Sequence, residues 1–320
     1  MRRLICRLIY LLAVMAAPVL AQNVKITPLG SHDGELCAFD RALVFEDPDG
    51  TRILYDVGRS VRGPSDPRLG KIDAVLLTHV HGDHIGDSHS PSANAGSCAS
   101  PDVSVNDAPN SNTVNVVMGK NAPLVVGGEM HFFFQQKIKS LGGDPAKLVR
   151  LARYGGSVTF GKVVVISVPA SHTNGLPAAF LEKGQADLLA ANGLTAYVGP
   201  PGGFVIRFSN GLVAYLSGDT GITADQQSVG TYYKPNFAVM SIGGNPNMTG
   251  PQEAAFVMND YIKPASVLAT HVNEAATEGG KVRPNTKTAA FQKASKAPVY
   301  VPLSGKTMEF DGSGHCKAGC

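Results

Sequence analysis

A chain of 320 residues with 43% hydrophobic residues is long enough to bury a substantial core. Its formal charge of +3 is small for that length, and the lysines and arginines form no dense basic run after Arg7. This excludes nucleic-acid binding as an organising role.

The N-terminal residues specify a compartment. Arg2, Arg3 and Arg7 precede an almost unbroken apolar stretch over residues 8–20, and Val19-Leu20-Ala21 places small residues where a signal peptidase reads. Residues 1–21 are therefore expected to be a cleavable secretory leader. Residues 22–320 follow as one domain, exported to the periplasm or secreted, with no lasting membrane anchor. Cys6 leaves with the leader, and Cys37, Cys98, Cys316 and Cys320 remain, an even number suited to an oxidising compartment. Four cysteines allow three pairings. Cys316 with Cys320 is the simplest local one, and Cys98 could be tied to Cys37.

Along the chain, residues 37–46 alternate, and Asp47-Pro48-Asp49-Gly50 separates them from the apolar run 52–56, which reads as a hairpin. Residues 74–77 read as a short buried strand. Residues 88–113 are mostly Ser, Asn, Pro, Ala and Asp with hardly an aliphatic run, so a long loop insertion is expected there, either a lid or a surface excursion. Helical patterns cover 129–141 and 146–154, and a strand covers 163–168. A further helix is expected over 179–191. Residues 204–208 and 212–217 flank Ser209-Asn210-Gly211 as a second hairpin, and 237–241, 267–270 and 299–301 read as buried strands around a helix at 251–262. Hairpins mixed with strand-to-helix steps predict an α/β protein with sheets covered by helices.

The chemistry concentrates in Thr78-His79-Val80-His81-Gly82-Asp83-His84, directly after the run 74–77. Three imidazoles and a carboxylate within six residues would repel one another if the rings were charged, and would leave polar atoms unpaired if neutral. A divalent cation removes both difficulties, because neutral imidazole and carboxylate are the ligands zinc prefers. Gly82 lets the chain turn sharply between His81 and Asp83.

This His-x-His-x-Asp-His pattern resembles the signature of the metallo-β-lactamase superfamily, and the other motifs of that family occur in order. His172 follows the strand at 163–168, Asp219 stands in Ser217-Gly218-Asp219-Thr220, and His271 closes the run 267–270. The resemblance implies a four-layer αββα sandwich with two divalent metal ions, zinc in the first instance and manganese or iron(II) as alternatives. One would be held by His79, His81 and His172, the other by Asp83, His84 and His271, with Asp219 between them. His32, His89, His131 and His315 fit no ligand position. The later half is similar to the L-ascorbate-6-phosphate lactonase-like branch, through Ala170 to Gly175, Ser217 to Gly221 and Met248 to Ala255.

Two dications sharing a water would lower its pKa toward about 7 and supply the nucleophile, with Asp83 orienting it and returning a proton to the leaving group. The expected activity is hydrolysis of an ester, lactone or related bond in a small-molecule substrate. A phosphodiester or β-lactam is the alternative on the same site, and an iron-dependent oxidoreductase is a more distant one.

Overall fold

The structure, a computed structural model, describes residues 22–320, so the expected leader lies outside the described residues. Two mixed sheets carry the fold. The first has eight strands in the order Val149–Leu151, Leu124–Val126, Ala74–Leu76, Arg52–Tyr55, Leu43–Glu46, Val24–Pro28, Met308–Phe310 and Cys316–Ala318. The second has seven, in the order Ser157–Phe160, Val163–Pro169, Gly202–Arg207, Val213–Leu216, Phe237–Ser241, Ser266–Thr270 and Val299–Tyr300. In each sheet the hairpin-linked strands run antiparallel, and the strands followed by helices run parallel.

Alternation along the strands sorts their side chains into layers. Ile53, Tyr55, Ala74 and Leu76 of the first sheet meet Phe204, Ile206, Ala214, Leu216 and Leu268 of the second in a core between the sheets. The opposite face of the first sheet, through Leu54, Val75 and Leu124, packs on Val114, Val117, Phe134 and Ile138 of helices Asn112–Lys120 and Met130–Ser140. The outer face of the second sheet packs likewise on Val229, Ala254, Met258 and Phe291, which belong to Ala224–Tyr233, Pro251–Phe256, the π-helical continuation Val257–Ile262 and Lys287–Ala294. Helix, sheet, sheet and helix are thus the four layers expected.

Both hairpins form, with Leu43 opposite Tyr55 and Phe204 opposite Leu216. Several local expectations need correction. Residues 146–154 are not one helix: only Pro145–Leu148 is helical, and Val149–Leu151 becomes the edge strand beside Leu124–Val126, where β-branched and apolar side chains find a sheet to cover. Of the alternating stretch 37–46, only Leu43–Glu46 is strand, because the Asp40 carboxylate accepts from the backbone of Ser31 and Cys37 and holds the preceding residues in a turn. Residues 179–191 divide into the 3₁₀ turn Ala178–Phe180 and helix Lys183–Ala191.

The segment 88–113 is not a structureless loop. It carries two short ladders, Ser88–His89 with Val105–Asn106 and Gly96–Ser97 with Ser100–Pro101, and Cys98 is bonded to Cys37. Its end is core rather than surface. Ser111, Asn112 and Thr113 are fully buried, and Asn112 Nδ2 donates to the carbonyls of Gly58 and Val61 while Thr113 Oγ1 donates to that of Ile85. Polar side chains fill this part of the interior because loop carbonyls there need donors.

Candidate metal centre

The strand Ala74–Leu76 ends against the parallel strands Arg52–Tyr55 and Leu124–Val126, and its continuation delivers Thr78 and His79 to the edge of the sheet. His81 then starts the short helix Gly82–Ile85, which carries Asp83 and His84. Three strands of the other sheet end at the same edge. Val163–Pro169 leads to His172, Val213–Leu216 to Asp219, and Ser266–Thr270 to His271. Gly218 sets the direction of Asp219: its φ is +59°, its N–H donates to the hydroxyl of Tyr55 at 3.2 Å, and a Cβ there would lie 2.7 Å from the Gly202 carbonyl.

All seven residues anticipated from sequence converge. Their donor atoms form three groups of close neighbours: His79, His81 and His172; His79, His84 and Asp219; and Asp83, His84 and His271. Asp219 Oδ2 stands at the middle, 3.1 Å from His271 Nε2, 3.2 Å from His84 Nε2, 3.8 Å from His172 Nε2 and 3.9 Å from His79 Nε2. Asp83 Oδ2 is 3.3 Å from His271 Nε2 and 3.9 Å from His84 Nε2. His89, by contrast, lies apart on Asp107 at 2.6 Å.

The arrangement fits divalent cations on the evidence of its orphaned atoms. Among the described residues, His79 Nε2, His271 Nε2 and Asp219 Oδ1 are buried without a hydrogen-bond partner, and His172 Nε2 faces His81 Nδ1 at 3.2 Å. Polar atoms left unpaired in a buried space are unfavourable, and a bound cation would engage them. Burial, followed by the neighbouring imidazoles, pushes His79 well below the ordinary histidine range. Burial likewise lowers His81 and His172, so these three rings are neutral and ready to coordinate. Burial also acts on His84, but Asp219, Asp83 and Asp56 outweigh it and raise that ring to about 10. Burial would raise Asp83 and Asp219. Arg41 and His84 overcome it for Asp83, and His271 and His84 for Asp219, so both carboxylates stay ionised.

Sequence reasoning missed the residues that orient the cage. Asp56 is fully buried, with φ +38°, and its carboxylate accepts from Thr78 N at 2.9 Å, Thr78 Oγ1 at 2.9 Å and His84 Nδ1 at 2.8 Å. That holds a proton of His84 on Nδ1, so Nε2 is the nitrogen turned to the cage. Thr78 Oγ1 lies 3.0 Å from His79 Nδ1 and does the same for that ring. Asn174 joins the two halves by accepting from Val80 N and donating to the Gly199 carbonyl. Arg41, only 4% exposed, places Nη2 2.5 Å from Asp83 Oδ2 and 3.0 Å from Asn273 Oδ1. The one sequence signal for Asp56 is an acidic residue ending the apolar run Ile53-Leu54-Tyr55, where strand ends meet the site.

The family model described as a beta-lactamase superfamily domain matches residues 51–272, which include all seven cage residues. A UPF0173 metal-dependent hydrolase of Cupriavidus necator is 30% identical over 82% of this chain and 81% of its own length. Another, of Thermodesulfovibrio yellowstonii, is 26% identical over 95% of this chain and 99% of its own. Among solved structures, Igni18, a metallo hydrolase from Ignicoccus hospitalis, shares the fold with a TM-score of 0.59 at 21% identity, covering 90% of this chain and 99% of its own.

Proposed function

Since the chain belongs to the metallo-β-lactamase superfamily and is a metal-dependent hydrolase of it, we propose that it is an exported enzyme that holds two divalent cations, zinc in the first instance, and cleaves an ester, lactone or related bond. The observation that carries this reading is the cage of orphaned donors around Asp219 Oδ2. His79, His81 and His172 would hold one cation and Asp83, His84 and His271 the other, with Asp219 shared. When bound, the cations supply Lewis acidity toward the scissile oxygen and acidify water. The residues supply the rest. Asp56 and Thr78 keep the rings of His84 and His79 in the coordinating tautomer. Asp83, a quarter exposed at the mouth of the cage, is placed to orient the attacking water and to hand a proton to the leaving group.

The pairing of nearby cations supports an uncharged acyl substrate over an anionic diester. Arg59 is held by Asp87 through two bonds of 2.7 Å, so the charge of that guanidinium is already paired and not offered to a phosphate. Two cysteine pairs, Cys37 with Cys98 and Cys316 with Cys320, support export to an oxidising compartment. Among the described residues, no helix is long and apolar enough to cross a membrane.

The test is metal content together with a substrate panel. Purified enzyme should contain divalent metal and turn over a homoserine lactone or simple ester faster than nitrocefin or bis-p-nitrophenyl phosphate. H81A and D83A should lose hydrolysis with the far-UV circular dichroism unchanged. Preferential turnover of nitrocefin or the diester would overturn the substrate class, and a fully active H81A protein would overturn the site.

A further inference from the structure

We propose that Arg41 acts as a built-in cation at the Asp83, His84 and His271 position, so that the two metal positions fill in order and with unequal affinity. The inference rests on the two-cation reading above and adds to it a residue that lies before the stretch matched by the family model.

The geometry differs between the two positions. At His79, His81 and His172 the outer nitrogens are tied to hydroxyls, His79 Nδ1 to Thr78 Oγ1 at 3.0 Å and His81 Nε2 to Thr173 Oγ1 at 3.1 Å. A hydroxyl can accept a ring proton, which leaves the lone pairs turned inward. At the other position the outer nitrogen of His271 meets Arg41 Nη2 at 3.5 Å. A guanidinium only donates, so His271 Nδ1 must accept and the ring proton sits on Nε2, the atom that faces Asp83 and Asp219. The same Nη2 lies 2.5 Å from Asp83 Oδ2. One cationic side chain thereby occupies a carboxylate and turns an imidazole away from coordination.

Charge balance points the same way. Three buried or half-buried carboxylates, Asp56, Asp83 and Asp219, meet at the cage, and Arg41 already balances one of them. A second dication would bring excess positive charge beside a guanidinium whose one ion-pair partner among the described residues is Asp83, and whose Nε and Nη1 have no hydrogen-bond partner.

Arg41 is also poorly able to withdraw. Its turn is pinned by the Asp40 carboxylate, which accepts from Ser31 N at 2.7 Å and Cys37 N at 2.8 Å. It is pinned again by the Cys37–Cys98 bond and by Ala38 N donating to the Cys98 carbonyl at 3.0 Å. The cation at His79, His81 and His172 is therefore acquired first, and the second enters only as the guanidinium yields Asp83.

The experiment is a Co²⁺ titration of chelator-stripped, disulfide-intact protein, followed by calorimetry and by the visible absorption of the bound metal. Wild type should take one equivalent at least about tenfold more tightly than the second. R41M and R41Q should narrow that gap by about tenfold or more through the second constant, leaving the first unchanged, and R41K, which keeps the charge, should retain most of it. Two equivalents bound with equal affinity by wild type would overturn the proposal without any variant. So would an unchanged gap in R41M and R41Q proteins that retain the wild-type circular dichroism. If H79A binds the first equivalent as wild type does, the underlying assignment of the cage fails instead, and the role of Arg41 falls with it.

Discussion

Asp56 touches no substrate in this reading, yet its replacement should weaken metal binding by an amount the hydrogen bonds define. In D56N the amide oxygen can still accept from Thr78 N, but the amide nitrogen now faces His84 Nδ1, where the carboxylate accepted at 2.8 Å. The ring must accept there, and its proton moves to Nε2, which points at Asp219 Oδ2 from 3.2 Å. Loss of such an outer partner typically costs about 10–100-fold in metal affinity, or roughly 1.4–2.8 kcal/mol. D56A removes the acceptor of three buried donors at once, at about 1 kcal/mol or more each, so stability should fall by roughly 3 kcal/mol or more. For a chain of this size that is a drop in Tm of about 5 °C or more. Competition with a chromophoric chelator reads the first effect, and calorimetric melting of the metal-free proteins reads the second. A D56N protein that binds both cations with wild-type affinity would refute the tautomer argument. A D56A protein that melts with wild type would refute the account of Asp56 as a buried acceptor.

Asp66 should govern part of the acid response. Burial would raise its carboxyl, but Arg68 and Arg62 hold it well below the usual range, so its contribution is full above an unfolded pKa of about 3.9 and is lost as pH falls toward the lower folded value. D66N should therefore be less stable at neutral pH and show a shallower loss between about pH 4 and pH 2 in urea titrations; a slope equal to wild type would count against it. Removing the Cys37–Cys98 bond, which closes a separation of 61 residues, should cost up to about 4 kcal/mol in chemical denaturation, and an unchanged midpoint would show that the bond constrains nothing. F134A, at a fully buried site, should lose about 3–5 kcal/mol, whereas F132S, at a site 59% exposed, should stay within about 0.5 kcal/mol. Equal losses at the two positions would contradict the layer assignment.

The cage was legible because its chemistry is written where sheets end. Asp83 and His84 share a short motif with two other histidines, and each remote ligand closes an apolar run long enough to be a buried strand. The strands themselves were legible wherever both faces are buried, as in Phe237–Ser241 and Ser266–Thr270, because continuous apolar runs have few other uses. What escaped notice depends on tertiary partners. Helix Ala224–Tyr233 shows weak amphipathicity and is rich in Gln, Ser, Thr and Tyr, so no stripe announces it; its start is set by the capping box of Thr223 and Gln226. Helix Asn112–Lys120 hid behind an asparagine and a threonine that turn inward to satisfy loop carbonyls. Val149–Leu151 looked helical because its period is ambiguous over three residues, and the open edge of Leu124–Val126 decided it. Arg41 and Asp56 are single residues with no spacing to mark them, and only the assembled fold brings them to Asp83 and His84.

The strand Met308–Phe310 lies beside Val24–Pro28, so the first sheet is closed by residues nearly three hundred positions apart. The sandwich cannot finish assembling until that late segment has arrived. A chain still lacking its last strands would present the histidines on an unfinished scaffold. A ribosome-stalled or truncated chain ending before Met308 should fail to retain cobalt that the complete protein holds.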